Sequence, residues 1–256
     1  MSGALPRTPS FRLDGRRALV TGAGRGIGLA AACALADAGA ELVLVARSPG
    51  EVEAAAEGIR AGGGRARAIA LDVTDLARTQ AAIEAHGPFH VLVNNAGTNR
   101  LEAFTEATAD AFDAVFALNV RAAFFAAQAV ARGLIAAGEP GSIIHVSSQM
   151  GHVGGPRRSV YCATKHAIEG LAKASAIDLG PHGIRVNTLC PTFIDTPLAR
   201  PILADETFRA AVLARIKLGR IGRVEDLMGA IVYLASDASA LVTGTALRVD
   251  GGWTAG

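Results

Sequence analysis

The chain has 256 residues, half of them hydrophobic and 19% charged, with a formal net charge of +2. That composition excludes a disordered polyelectrolyte and provides for a large buried core. The basic residues are dispersed, and the pairs Arg16-Arg17 and Arg157-Arg158 are too short for a nucleic-acid patch, so no nucleic-acid partner is expected.

Residues 1–10, MSGALPRTPS, read as a flexible segment without the apolar core of a signal peptide, ahead of one expected domain over 11–256. ALVTG (18–22) is a first strand ending in a turn signal, and a helix follows over 27–38. ELVLVA (41–46) and ARAIALDV (66–73) read as the second and third strands, followed by helices over 51–61 and 75–85. FHVLVNNAG (89–97) is the fourth, and two helices, 106–117 and 119–137, precede the fifth, SIIHVSS (142–148). A helix over 160–179 leads to IRVNTLCP (184–191), and a last helix, 225–235, to TALRVDG (245–251). Strands this continuously apolar are buried on both faces, and their alternation with helices implies parallel crossovers. The expected fold class is therefore α/β, a doubly wound parallel sheet of about seven strands with helices on both faces. The segment over 192–222 has no strand and one helix at 205–217, which suits a substrate lid.

Cys33, Cys162 and Cys190 are odd in number and lack CxxC spacing, as expected of small buried residues in a reducing compartment. His86 and His90 stand four apart, but Gly87-Pro88 between them rules out a shared helix face, so no metal site is expected. No stretch approaches the uninterrupted apolar length of a membrane span, which leaves a cytoplasmic protein without a membrane partner as the expectation.

TGAGRGIG (21–28) joins the first strand to the first helix with the spacing GxxxGxG. Gly22 permits a tight turn, Gly26 lets the backbone approach a pyrophosphate, and Gly28 lets the helix pack closely on the strand. The helix N-terminus adds unpaired N–H groups and the positive end of a dipole. This is the dinucleotide-binding arrangement of a Rossmann fold. At the end of the second strand, where a carboxylate would grip a ribose 2′-hydroxyl, the chain has Ala46 followed by Arg47. A guanidinium there can fork onto a 2′-phosphate, and Arg25 adds a second cation, so NADP(H) is favoured over NAD(H).

From about residue 11 to 252 the chain resembles the single-domain short-chain dehydrogenases/reductases, through motifs that occur in register. They are TGAGRGIG, Asp72 after the third strand, NNAG (94–97), Asn119 in LNV, Ser147-Ser148, YCATK (161–165), RVNTLCP (185–191) and TGTALRVDGG (243–252). The resemblance implies hydride transfer between a nicotinamide cofactor and a carbonyl or secondary alcohol. It implies that Ile27 joins the glycines at the cofactor, that Asp72 and Val73 contact the adenine, and that Asn95, Ala96 and Gly97 line the ribose side. Pro191, Ile194 and Thr196 would meet the nicotinamide, with Tyr161 and Lys165 beside its ribose. The implied catalytic set is Asn119, Ser148, Tyr161 and Lys165: Tyr161 transfers the proton, Ser148 holds the reacting oxygen, Lys165 binds the ribose hydroxyls and Asn119 links Lys165 to solvent through water. Family members often have Pro-Gly where this chain has Pro191-Thr192, which alters the nicotinamide side of the pocket.

The Tyr161–Lys165 spacing has its own physical reading. Residues four apart share a helix face, and a phenol titrating near ~10 is drawn down by a neighbouring ammonium. If Ser159 caps the helix, Tyr161 lies in its first turn, where the dipole acts in the same direction. Ser148, Gln149, His152, Arg157 and Tyr161 are the candidate substrate residues. His152, Arg157 and Arg158 bring positive charge and hydrogen-bond donors, which suit a sugar acid, keto sugar or polyol. A 3-ketoacyl thioester reductase is the alternative, and a non-catalytic dinucleotide-binding protein a lesser one. Helices over 120–138 and 160–180 show too little polar stripe for a helix covered on one side only, and the resemblance implies a homotetramer built through them.

Overall fold

The computed structural model of the protein describes residues 5–256. Of the expected flexible segment, residues 1–4 lie outside the described ones, and 5–10 are exposed without helix or strand. The strands are β1 (Arg17–Thr21), β2 (Glu41–Ala46), β3 (Arg65–Ala70), β4 (Val91–Asn94), β5 (Gly141–Val146), β6 (Ile184–Pro191) and β7 (Ala246–Val249). They form one parallel sheet of order β3-β2-β1-β4-β5-β6-β7. The order reverses between β1 and β4, which opens a crevice beyond their carboxyl ends.

The helices are α1 (Gly26–Asp37), α2 (Pro49–Ala61), α3 (Leu76–His86), α4 (Ala109–Phe116), α5 (Ala123–Ala137), α6 (Ser159–Leu179), α7 (Arg200–Leu203), α8 (Glu206–Arg215) and α9 (Glu225–Ala235). Alternate strand residues feed two cores, which is why the strands read as unbroken apolar runs. Val20, Leu44, Val93 and Ile144 meet Leu35 of α1, Ile59 of α2 and Ile231 of α9. Leu19, Val43, Leu92 and Ile143 meet Ile83 of α3, Leu134 of α5 and Ala172 of α6 on the other face. Each fully buried leucine, Leu134 among them, stabilises the fold by about 1.5–3 kcal/mol. Ser48, Asp75, Thr108 and Asp205 cap α2, α3, α4 and α8, each side chain accepting from a backbone N–H three residues on.

Three features differ from the sequence expectations. The two helices expected over 106–137 are one, because Ala117–Ala122 winds as a π-turn instead of breaking. The inserted residue turns Asn119 inward, and the Asn94 side chain donates to the Ala123 carbonyl at 2.9 Å, at the end of the wide turn. The joined helix, Ala109–Ala137, is long and apolar enough by length and composition to cross a membrane, contrary to the sequence expectation; it packs instead on α3, β4 and β5. Second, Ser159 is the first helical residue of α6 and not its cap; Arg158 holds that position without a side-chain bond, and Tyr161 still lies in the first turn. Third, the segment over 192–222 carries the short helix α7 as well as α8. Phe193, Leu203, Phe208 and Ile216 from this segment gather with Met150 and Trp253 into a third apolar cluster above the carboxyl end of the sheet.

Candidate active site

The turn from β1 into α1 is tight for a steric reason. Gly22 has a left-handed φ of +64°, and a Cβ there would stand 2.9 Å from Asn95 Nδ2. A Cβ at Gly28 would strike the Gly22 carbonyl oxygen, so α1 can sit this close to β1 only with glycine at both places. The end of β4 is fastened to the same turn. Asn95 Nδ2 donates to the carbonyls of Thr21 and Gly22 at 3.1 Å, and Thr21 Oγ1 accepts from the backbone N–H of Asn95 and Ala96 at 3.1 Å.

A groove of about 380 Å³ runs along this turn, lined by Gly22, Arg25, Gly26, Ile27, Arg47, Asp72, Val73, Asn95, Ala96, Gly97 and Thr196 among others. Gly28 does not line it; its part is helix packing. Asp72 accepts from Thr74 N–H at 2.9 Å and from the Thr74 hydroxyl at 2.8 Å, the backbone bond above all holding its carboxyl below the usual range. Arg25 pairs with Glu51 at 3.2 Å. Arg47 is exposed on the groove and has no salt-bridge partner among the described residues. Ser48 and Glu51 also line the groove, and the sequence reading missed both although Ser48 directly follows Arg47. Backbone donors at the α1 N-terminus, a glycine floor and a free guanidinium fit a phosphorylated dinucleotide.

Ile27, Asn95, Gly97 and Thr196 are shared with a second cavity of about 180 Å³, whose wall also includes Ser148, Gln149, Tyr161, Lys165, Pro191 and Ile194. Ser148 Oγ donates to Gln149 Oε1 at 2.6 Å and accepts from Met150 N–H at 3.1 Å. Lys165 lies one turn beyond Tyr161, its Nζ 5.6 Å from the phenol ring centre and donating to the Val146 carbonyl at 2.8 Å. Burial pushes the Lys165 ammonium down to about 8 and the Tyr161 phenol upward. Against that upward push act the Ser148 hydroxyl and the Arg158 charge. The sequence reading assigned the lowering charge to Lys165 alone; Arg158 is a further cation acting on the phenol that it did not name for this part. Asn119 does not touch Lys165. Its Oδ1 accepts from Thr98 N–H and its Nδ2 donates to Thr98 O, both at 2.9 Å, and Nδ2 also donates to Thr164 Oγ1 at 3.1 Å. Thr164 directly precedes Lys165, so the π-turn braces the helix that carries the Tyr–Lys pair.

Two of the five candidate substrate residues lie outside the cavity wall. His152 turns its Nε2 toward Cys190 Sγ (3.4 Å) and the buried Glu169 carboxylate (3.6 Å). These three residues could offer ligand atoms within 4.8 Å of one another, a grouping that spacing could not reveal because they are distant in sequence. Hydrogen bonds already account for it: Glu169 accepts from the Cys190 thiol at 3.2 Å and from Thr188 Oγ1 at 2.9 Å, and burial with the carboxylate pushes the thiol up to about 12. Arg157 is exposed in a left-handed conformation, φ 58°, with its guanidinium 3.5 Å from the Leu101 carbonyl. Its neighbour Arg158 lines the cavity instead. Phe193, Leu198 and Ile202 form an apolar wall that the motifs did not point to, since none bears a reactive group.

Over residues 22–254 the chain matches the family model described as "Enoyl-(Acyl carrier protein) reductase". It is 44% identical to bovine L-xylulose reductase (Bos taurus), over 96% of this chain and 99% of that protein. It is 42% identical to gluconate 5-dehydrogenase of Gluconobacter oxydans strain 621H, over 95% and 96% of the two chains. The crystal structure of a gluconate 5-dehydrogenase from Burkholderia cenocepacia J2315, in complex with NADP and tartrate, superposes with a TM-score of 0.92 at 40% identity, covering 96% of this chain and 98% of that one. The chain belongs to the short-chain dehydrogenase/reductase family. As a short-chain dehydrogenase/reductase it is an NAD(P)-dependent oxidoreductase acting on CH–OH donors or the matching carbonyls. Where members of this family often carry glycine after the proline ending β6, this one carries Thr192, which lines the cavity while its hydroxyl oxygen is enclosed in the protein without a hydrogen-bond partner.

Proposed function

We propose that the protein interconverts a polyhydroxylated ketone and its secondary alcohol using NADP(H), the substrate being a sugar acid, a keto sugar or a polyol. The observation that carries this is the joining of two cavities, one built for a dinucleotide and one presenting Ser148, Tyr161 and Lys165 together. The relatives named for xylulose and gluconate chemistry support the substrate class.

The bound cofactor supplies the hydride in reduction and takes it up in oxidation. Gly22, Gly26 and the α1 N-terminus hold its pyrophosphate, Asp72 and Val73 flank the adenine, and Arg47 binds the 2′-phosphate. With burial outweighing the nearby charge, Tyr161 is a protonated phenol in the free enzyme, the form that donates to a carbonyl oxygen. Ser148 turns its hydroxyl from Gln149 to that oxygen and stabilises the charge developing there. Lys165, fixed by the Val146 carbonyl, binds the ribose hydroxyls and returns the proton through water ordered near Asn119. Residues 192–222 act as the lid, closing the apolar wall of Phe193, Leu198 and Ile202 over the substrate. The three cysteines are free, which accords with a cytoplasmic location.

The thioester alternative draws on the description of the matching family model. The relatives named for xylulose and gluconate favour a hydroxylated substrate over an acyl chain. A panel followed at the nicotinamide absorbance tests the choice. L-xylulose, 5-ketogluconate, gluconate and acetoacetyl thioester are each assayed with both cofactors. The expected outcome is turnover of at least one sugar-derived compound with NADP(H); turnover of the thioester alone would overturn the reading.

A further inference from the structure

Arg158 is buried, with 4% of its surface exposed, yet its guanidinium has no salt-bridge or hydrogen-bond partner among the described residues. Its Nε is fully enclosed and unpaired. The rings of Phe193 and Phe208, packed edge-to-face on each other, lie to one side of it, their centres 5.0 and 5.4 Å from the guanidinium carbon. Such ring contacts offset only part of the cost of removing a guanidinium from water, and arginine does not shed its charge to escape that cost. The group faces the catalytic cavity, in which Lys165 is the second cation and which no Asp or Glu lines among the described residues. The wall thus has two positive groups and no negative one, the converse of a site shaped for a neutral ligand.

We infer that Arg158 is the anchor for a carboxylate on the substrate, so that the preferred substrate is a keto acid of the sugar series and its hydroxy-acid partner. The inference rests on the proposed reaction and narrows its substrate class. A carboxylate takes two parallel N–H bonds from the planar guanidinium. Arg158 stands immediately before α6, three residues from Tyr161, so an acid anchored there has its chain carbons within reach of the phenol.

Steady-state oxidation of gluconate and of the neutral six-carbon alditol, with NADP⁺, tests this on wild type, Arg158→Gln and Arg158→Lys. The expected result is a ratio of kcat/KM, acid over alditol, that falls about 100-fold in Arg158→Gln, mainly through KM for gluconate, and recovers in part in Arg158→Lys. A fall shared equally by both substrates, leaving the ratio unchanged, would overturn the inference, because Arg158 would then act only on Tyr161 or on packing. Calorimetric titration of gluconate into the NADP⁺ complex separates this from the reaction itself. Arg158-dependent binding without turnover would overturn the proposed reaction and uphold the anchor; turnover with Arg158-independent binding would do the reverse. NADP⁺ affinity equal in all three proteins shows that the variants are folded.

Discussion

The proposed preference for NADP(H) rests on one side chain, Arg47. Arg25, the other cation the sequence offered, is engaged with Glu51 at 3.2 Å, which leaves Arg47 as the group free to meet a 2′-phosphate. An Arg47→Asp change removes a charge-assisted bond of about 1.5–3 kcal/mol and adds repulsion. The ratio of kcat/KM with NADPH to that with NADH should fall about 100-fold, read from initial rates at fixed substrate; an unchanged ratio would leave Arg47 without a part in selection. The same scale shows where spacing ceases to inform. Arg157 and Arg158 are adjacent and chemically identical, and the sequence reading placed Arg157, not Arg158, among the substrate candidates, whereas it is Arg158 that lines the cavity. Arg157, at a left-handed φ, is exposed, and Arg158 beside it is buried. His152 was misread for a related reason: Glu169 and Cys190, which draw its ring away, come from α6 and β6.

Among the elements, strands and their following helices were legible to within a few residues, because burial on both faces leaves an apolar run that turn residues punctuate. The joined α4–α5 helix was not. A π-turn keeps the helix going while shifting its face, so the apolar period slips at Ala117–Ala122 and reads as a break. That helix and α6 leave Phe112, Phe124, Phe125, Ile135 and Ile177 exposed. Surfaces this apolar on helices with a weak polar stripe favour burial against further copies of the chain, and a homotetramer follows as the proposed assembly. Sedimentation velocity at micromolar concentration should give a tetramer, and the double change Phe124→Asp, Phe125→Asp a smaller species with unchanged far-ultraviolet circular dichroism. A monomeric wild type would contradict it.

Across the whole molecule, the reversal of strand order between β1 and β4 gathers groups from distant segments at one edge of the sheet. The glycine turn after β1, Asn95 after β4, Ser148 after β5 and Thr192 after β6 all stand at carboxyl ends of strands, which is why the motifs could be read in order along the chain. What lay beyond the sequence was the wall built from 192–222, because apolar residues such as Phe193 and Ile202 carry no chemical signature and acquire meaning only from what they enclose. The account as a whole depends on one phenol. Tyr161→Phe removes a single oxygen at a position where the ring itself still packs, so NADPH should bind as in wild type by fluorescence titration. Proton transfer by a placed side chain contributes about 10²–10⁴-fold, and kcat for the best sugar-derived substrate should fall by that factor. Turnover of that substrate by Tyr161→Phe at close to the wild-type rate would contradict the account.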